Sequence, residues 1–232
     1  MALHQWNVSY QEARDIQLRL QRRLSFTLQK TDFRYVAGTD VAFDAASNCA
    51  LAVVVVLDAS TGLVCDEAGA ECPAEFPYIP GLLSFREAPA VLAAWDRLSI
   101  PPELLMVDGQ GLAHPRRFGL ACHLGLWLKI PAIGCAKSRL IGAYQEPKAR
   151  RGSWSALYDG EEIIGAVLRT RDGVRPVFIS PGHQLTLESC IDLSLRWARG
   201  FRLPEPTRQA HLRVTARRKL LTKKIPIIQT HI

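Results

Sequence analysis

The chain has 232 residues, 48% of them hydrophobic, and 29 Lys and Arg against 22 Asp and Glu leave it at +7. That balance excludes a disordered chain and suits one domain over residues 1–232 with a sizeable core. The longest apolar run, Ala50 to Leu57, is far too short for a membrane span, and Met1-Ala-Leu-His-Gln-Trp6 lacks a secretory pattern, so a cytoplasmic protein with no membrane partner is expected.

Residues 9–24 read as a helix capped by Ser9, with Glu12 completing a capping box. Residues 34–43, 48–57 and 61–70 read as three strands separated by turn-formers, hence an antiparallel meander. From 82 to 98 the apolar spacing becomes helical. Residues 104–107 read as a short buried strand, 116–128 as a helix and 132–135 as a second buried strand. That alternation predicts parallel strands joined by crossover helices. Residues 161–170 and 174–179 look like a hairpin closed at Asp172-Gly173. Helices follow at 186–199 and 206–221, and the tail 225–232 is expected to be loosely held. The result is an α/β protein with a mixed sheet, an antiparallel three-strand meander plus parallel strands, flanked by helices. This order is similar to that of the ribonuclease H-like fold.

Two aspartates sit where apolar strands should end, Asp40 in Tyr35-Val-Ala-Gly-Thr-Asp40 and Asp108 in Leu104-Leu-Met-Val-Asp108-Gly-Gln-Gly111. A carboxylate on a buried strand is costly unless it is paired, hydrogen-bonded or bound to a cation. Hard oxygen ligands suit Mg²⁺ or Mn²⁺. Taken singly, each Asp is as readily an ordinary turn residue. Basic residues crowd positions 196–224 against the single acid Glu205, and Lys137, Arg139, Lys148, Arg150 and Arg151 form a smaller cluster. Each is also compatible with a plain solvated face, but beside a carboxylate metal site they favour nucleic acid as the partner. Six cysteines form no CxxC pair, and the adjacent Cys122 and His123 cannot aim at one metal. The cysteines read as small apolar residues of a reduced protein.

Longer motifs sharpen this. Phe76-Pro-Tyr-Ile-Pro-Gly-Leu-Leu-Ser-Phe-Arg-Glu-Ala-Pro89 and Val107-Asp-Gly-Gln-Gly-Leu-Ala-His-Pro-Arg116 closely resemble signature segments of endonuclease V. Ile130-Pro-Ala-Ile-Gly-Cys-Ala-Lys-Ser-Arg-Leu140, Ile179-Ser-Pro-Gly-His183 and Arg202-Leu-Pro-Glu-Pro-Thr-Arg-Gln-Ala-His211 match further family segments, in order, over most of the chain.

The resemblance implies a nuclease that recognises deoxyinosine, in double- or single-stranded DNA, and hydrolyses the second phosphodiester bond on its 3′ side. It implies active-site residues at Asp40, Glu87, Asp108 and His211, with Lys137 nearby. Asp40 and Asp108 would hold Mg²⁺, or Mn²⁺ in its place, and Glu87 would complete the outer shell of the ion or bind a second ion through water. His211 would orient or deprotonate the attacking water or contact phosphate, and Lys137 would meet the phosphate or the leaving oxygen. Pro77, Tyr78, Ile79 and Pro80 would form a stiff wedge that enters the duplex as the base is extruded. Main-chain groups around Leu83, Gly109, Gly111 and Gly134 would read hypoxanthine. His114 is a second candidate for the site, and His183 is expected to cap the helix starting near Thr186. His4, His123 and His231 have no supporting context. A monomer is expected. The alternatives are an enzyme of this kind acting on inosine in RNA, a non-catalytic nucleic-acid binder and a structure-specific nuclease of the same fold.

Overall fold

The run Cys49–Asp58 carries Ala-Val-Val-Val-Val-Leu with no polar alternation, the pattern of a strand covered on both faces. In the computed structural model, which describes residues 2–223, it is strand β2, buried from Ala50 to Leu57. Strands β1 (Tyr35–Asp44) and β3 (Val64–Pro73) pair with it antiparallel, giving the expected meander. Strands β4 (Leu104–Val107) and β5 (Ala132–Ala136) then run parallel to β1. Three further strands, β6 (Trp154–Asp159), β7 (Glu162–Leu168) and β8 (Val177–His183), complete an eight-stranded sheet among the described residues. Its order is β3-β2-β1-β4-β5-β8-β7-β6.

Helices α2 (Leu83–Trp95) and α3 (Leu120–Leu128) cover one face, where Ala37, Ala52, Val54 and Leu105 meet Ala88, Val91 and Leu124. Helices α4 (Leu187–Trp197) and α5 (Glu205–Lys223) cover the other, where Val53, Val55 and Met106 meet Ile191, Ala210 and Val214. Helix α1 (Tyr10–Gln21) is an outer layer on the α2–α3 side. Its Ala13, Ile16 and Leu20 pack on Phe85, Phe118 and Leu126. The capping box at its start is present, with Ser9 accepting from Glu12 N and Glu12 accepting from Ser9 N.

Several elements differ from the sequence expectation. Strand β6 is not among the expected strands, because Trp154–Asp159 lies at the sheet edge with both ends exposed and lacks the apolar run of a central strand. The antiparallel pairing of β7 with β8 is present and the chain turns at Asp172-Gly173, with Gly173 at φ +69°, but the ladder already stops at Leu168 opposite Val177, so the loop is longer than a two-residue hairpin. The tight turn lies between β6 and β7, at Gly160 with φ +63°. Helix α3 starts at Leu120 rather than at 116, since Arg117 is left-handed and Gly119 caps the helix. His183 lies within β8 and caps nothing; Thr186 caps α4 by accepting from Ser189 N. The expected loose tail, 225–232, lies outside the described residues.

Candidate active site

The parallel register of β1 and β4 sets the site. Thr39 pairs with Val107, so Asp40 and Asp108, each one residue further, emerge side by side, and Asp108 N–H donates to Thr39 O at 3.2 Å. A third group comes from the far end of the chain. The first turn of α5 presses on β1 at Gly38, where a Cβ would fall 2.1 Å from the Pro206 backbone. Only glycine permits that approach. The helix then carries His211 across to Asp40, with Nδ1 2.7 Å from Oδ2. A carboxylate only accepts, so Nδ1 carries the proton and, in the neutral ring, Nε2 is left with its lone pair.

Lys137 follows the last residue of β5. Its Nζ forms an ion pair with Asp108 Oδ2 and lies 3.3 Å from His211 Nδ1. Glu87 projects from α2, half-buried. Its carboxyl is pushed up to about 8, first by burial and then by the neighbouring Asp40 and Asp108. Asp108 is also raised, mainly by burial and then by Asp40, with Lys137 pulling the other way. Ligand atoms of Asp40, Asp108 and His211 all lie within 4.8 Å of one another. Crowded carboxylates that resist ionising together, beside an imidazole, fit a small divalent cation, which would relieve the repulsion. The acid pair thus fits such an ion, and the one lone pair left on His211, at Nε2, can serve the ion or take a proton, not both.

A cleft of about 350 Å³ opens beside these groups. Its lining includes Asp108 and Lys137 and, with them, the apolar Leu83, Phe118 and Leu120 and the backbone of Gly109. Of the four expected base-reading residues, the structure brings Leu83 and Gly109 to the cleft. Gly111 and Gly134 stand behind it. Gly111 N–H donates to Ser180 Oγ, and a Cβ on Gly134 would come within 2.4 Å of Gly111 N.

The wedge segment lies on the rim of the cleft. Phe76 is buried, and Arg86 donates to its carbonyl at 2.9 Å. Ile79 packs on the core beneath α1, while Tyr78 stands 70% exposed. The carbonyl of Gly81, just beyond, accepts from Gln17 Nε2, His114 Nε2 and Arg116 Nη2 at 3.1, 2.9 and 2.6 Å. His114 Nδ1 accepts from Arg116 N, and burial lowers this histidine to about 4, so it is a neutral brace for the turn rather than an acid or base.

Two side chains without sequence context prove to be joined. His123, fully buried on α3, lies between Ser84 of α2 (Nδ1 to Oγ 2.9 Å) and His4 of the N-terminal segment (Nε2 to Nε2 2.6 Å). No local pattern signals a contact between residues 119 positions apart. The basic helix also differs from its sequence impression. Arg213 and Arg217 both pair with Glu67 of β3, and Arg208 pairs with Glu205.

The family model described as Endonuclease V matches residues 17–212. An endonuclease V from Methanothrix thermoacetophila is 50% identical over 212 residues, 91% of this chain and 93% of that relative. The chain belongs to the endonuclease V family. The crystal structure of endonuclease V from Streptomyces avermitilis shares 43% identity with a TM-score of 0.89 and covers 94% of this chain and 96% of its own. The Ciona intestinalis enzyme, variant D234N, in complex with DNA containing an inosine, shares the fold at 23% identity, with a TM-score of 0.79 over 92% of this chain and 100% of its own. Endonuclease V proteins are metal-dependent nucleases that act on DNA, and the acid cluster of this chain has the composition such an enzyme needs. No described helix is long and apolar enough to cross a membrane.

Proposed function

We propose that this endonuclease V recognises hypoxanthine in DNA and hydrolyses the second phosphodiester bond on its 3′ side, using Mg²⁺ or, in its place, Mn²⁺. The observation that carries this reading is that Asp108 belongs both to the acid cluster and to the cleft, with its partner Lys137 also in the cleft lining, so a base held in the cleft leaves its own backbone near the carboxylates. The Ciona relative, crystallised with DNA containing an inosine, supports the same ligand.

Asp40 and Asp108 would hold the ion, with His211 beside them and Glu87 behind. When bound, the ion would stabilise the charge that develops on the scissile phosphate and acidify a water. His211 Nε2 takes the proton of the attacking water, while Asp40 fixes the ring through Nδ1. Lys137 supplies a compact positive charge for the phosphate or the departing oxygen. Tyr78 fills the gap that the extruded base leaves, which offsets part of an unstacking cost of roughly a few kcal/mol.

Incision of an end-labelled duplex bearing one deoxyinosine, with and without Mg²⁺, tests the reading. A single Mg²⁺-dependent nick, placed by comparison with a sequence ladder, is expected. Equal cutting of an undamaged control duplex would refute it.

A further inference from the structure

Ser84 lies in the first turn of α2 and lines the cleft, although it is only 2% exposed. The hydrogen bonds behind it run in one direction. His4 Nδ1 faces the carbonyl of Gln5 at 2.7 Å, and a carbonyl cannot donate, so Nδ1 carries the proton of His4. In the neutral ring Nε2 of His4 is then an acceptor, and the nitrogen 2.6 Å away, His123 Nε2, must be the donor. That leaves His123 Nδ1 as an acceptor, and Ser84 Oγ–H donates to it at 2.9 Å. Burial lowers both histidines, so the neutral forms on which this assignment depends are the expected ones. Trp6, Phe85 and Phe118 pack round the His123 ring with centroids 4.9, 5.3 and 5.1 Å away, which keeps it from turning over.

A serine hydroxyl ordinarily rotates to suit its partner. This one is committed: its proton points away from the cleft, so towards a ligand Oγ offers lone pairs alone. Hypoxanthine carries a hydrogen on N1, whereas adenine has a lone pair there. We propose that Ser84 is a specificity-determining residue that accepts the N1–H of hypoxanthine and opposes the bare N1 of adenine, its direction set by the relay through His123 and His4. This rests on the inosine reading above and deepens it. Guanine also carries a hydrogen on N1, so Ser84 does not discriminate against it.

The test uses the full chain with Mg²⁺ and single-stranded oligonucleotides, which removes the cost of opening a duplex. Each carries one hypoxanthine, 1-methylhypoxanthine, adenine or guanine; the 1-methyl base replaces N1–H by N–CH3 and keeps O6, N3 and N7. The wild type is expected to cut hypoxanthine at least roughly ten- to a hundredfold faster than the 1-methyl base, the usual cost of leaving a buried polar group unpaired. In Ser84→Ala that ratio should fall to near unity, the hypoxanthine to adenine ratio should fall with it, and the hypoxanthine to guanine ratio should hold. A merely structural bond between α2 and α3 would lower all rates together and leave the ratios alone, which would overturn the inference while the inosine reading stood. Failure of the wild type to cut hypoxanthine would sink that reading itself. His4→Phe, a change remote from the cleft, removes the nitrogen that fixes His123. It should lower the hypoxanthine to adenine ratio severalfold with Ser84 intact, and an unchanged ratio would overturn the relay.

Discussion

The two ends of the cleft are built on opposite principles. At one end four ionisable side chains and a histidine converge, and two of the acids, Glu87 and Asp108, are held above their ordinary range by burial and then by Asp40. At the other end the acids are absent and the polar groups are largely committed: the Gly81 carbonyl takes three donors, one of them the Arg116 guanidinium, His114 is kept uncharged, and Ser84 gives its proton to His123. The charged end is under electrostatic stress that an ion and a phosphate would relieve. The other end has most of its hydrogen bonds made, which holds its groups in fixed directions. Catalysis draws on stored repulsion, whereas recognition draws on rigidity.

The largest effects should come from the stressed end. Asp40→Ala and Asp108→Ala should each lower Mg²⁺-dependent incision by on the order of a thousandfold or more, because one carboxylate cannot hold both ion and phosphate in place. Binding of inosine DNA should survive, measured by fluorescence anisotropy without metal. Full activity in either variant would erase the distinction between the two ends.

Tyr78→Ala probes the recognition end. Loss of the exposed ring should weaken binding to an inosine duplex by about 1–3 kcal/mol, roughly ten- to a hundredfold, with a smaller loss on single strands and an unchanged metal requirement. Equal losses on both substrates would make Tyr78 a general contact rather than a wedge.

Acidity sharpens the comparison next. Between its ordinary value of 4.5 and about 8, Glu87 is protonated in the folded protein without ion but ionised in the unfolded chain. The folded state then holds the extra proton, so thermal stability of the metal-free protein should fall as pH rises across that window. Glu87→Gln should flatten the slope, leaving the smaller contribution of Asp108. Ion binding should release protons and tighten with rising pH, which titration calorimetry in two buffers would read. A metal-free melting temperature that climbs through the window would contradict the repulsion among these acids.

The smallest effect is expected outside the cleft. Arg217→Ala should cost only about 0.2–1 kcal/mol of stability and leave the salt dependence of DNA binding as it was, because this guanidinium is already paired with Glu67. Glu67→Ala should instead release Arg213 and Arg217, steepening the log K against log salt slope by roughly 0.9 for each additional phosphate they neutralise.

The charged end is the more legible from sequence. Asp40 and Asp108 interrupt apolar strands, and such an interruption stands out locally. The meander and the short parallel strands are legible for the same reason: buried strands are apolar runs bounded by turn-formers. The other end hides itself. Its parts are a carbonyl, a glutamine on α1 and two histidines that contact one another only after the helices pack, so no spacing betrays them. Edge strand β6 is obscure because exposure at the rim of the sheet removes the apolar run. The pairing of Arg213 and Arg217 with Glu67 is likewise invisible along a helix that reads simply as basic.

The order in which the site's pieces occur along the chain has a consequence for biosynthesis. Asp40 lies on the first strand, Asp108 follows the fourth, and His211 rides on α5, the last described helix, which seats against β1 at Gly38. A ribosome releases these pieces one after another, and domains fold as units as the chain emerges. Until α5 has left the exit tunnel and closed over β1, Asp40 has no histidine beside it and the cluster is incomplete. In a nascent chain the two acids are thus in place before the histidine, and the cluster is assembled only once α5 has seated.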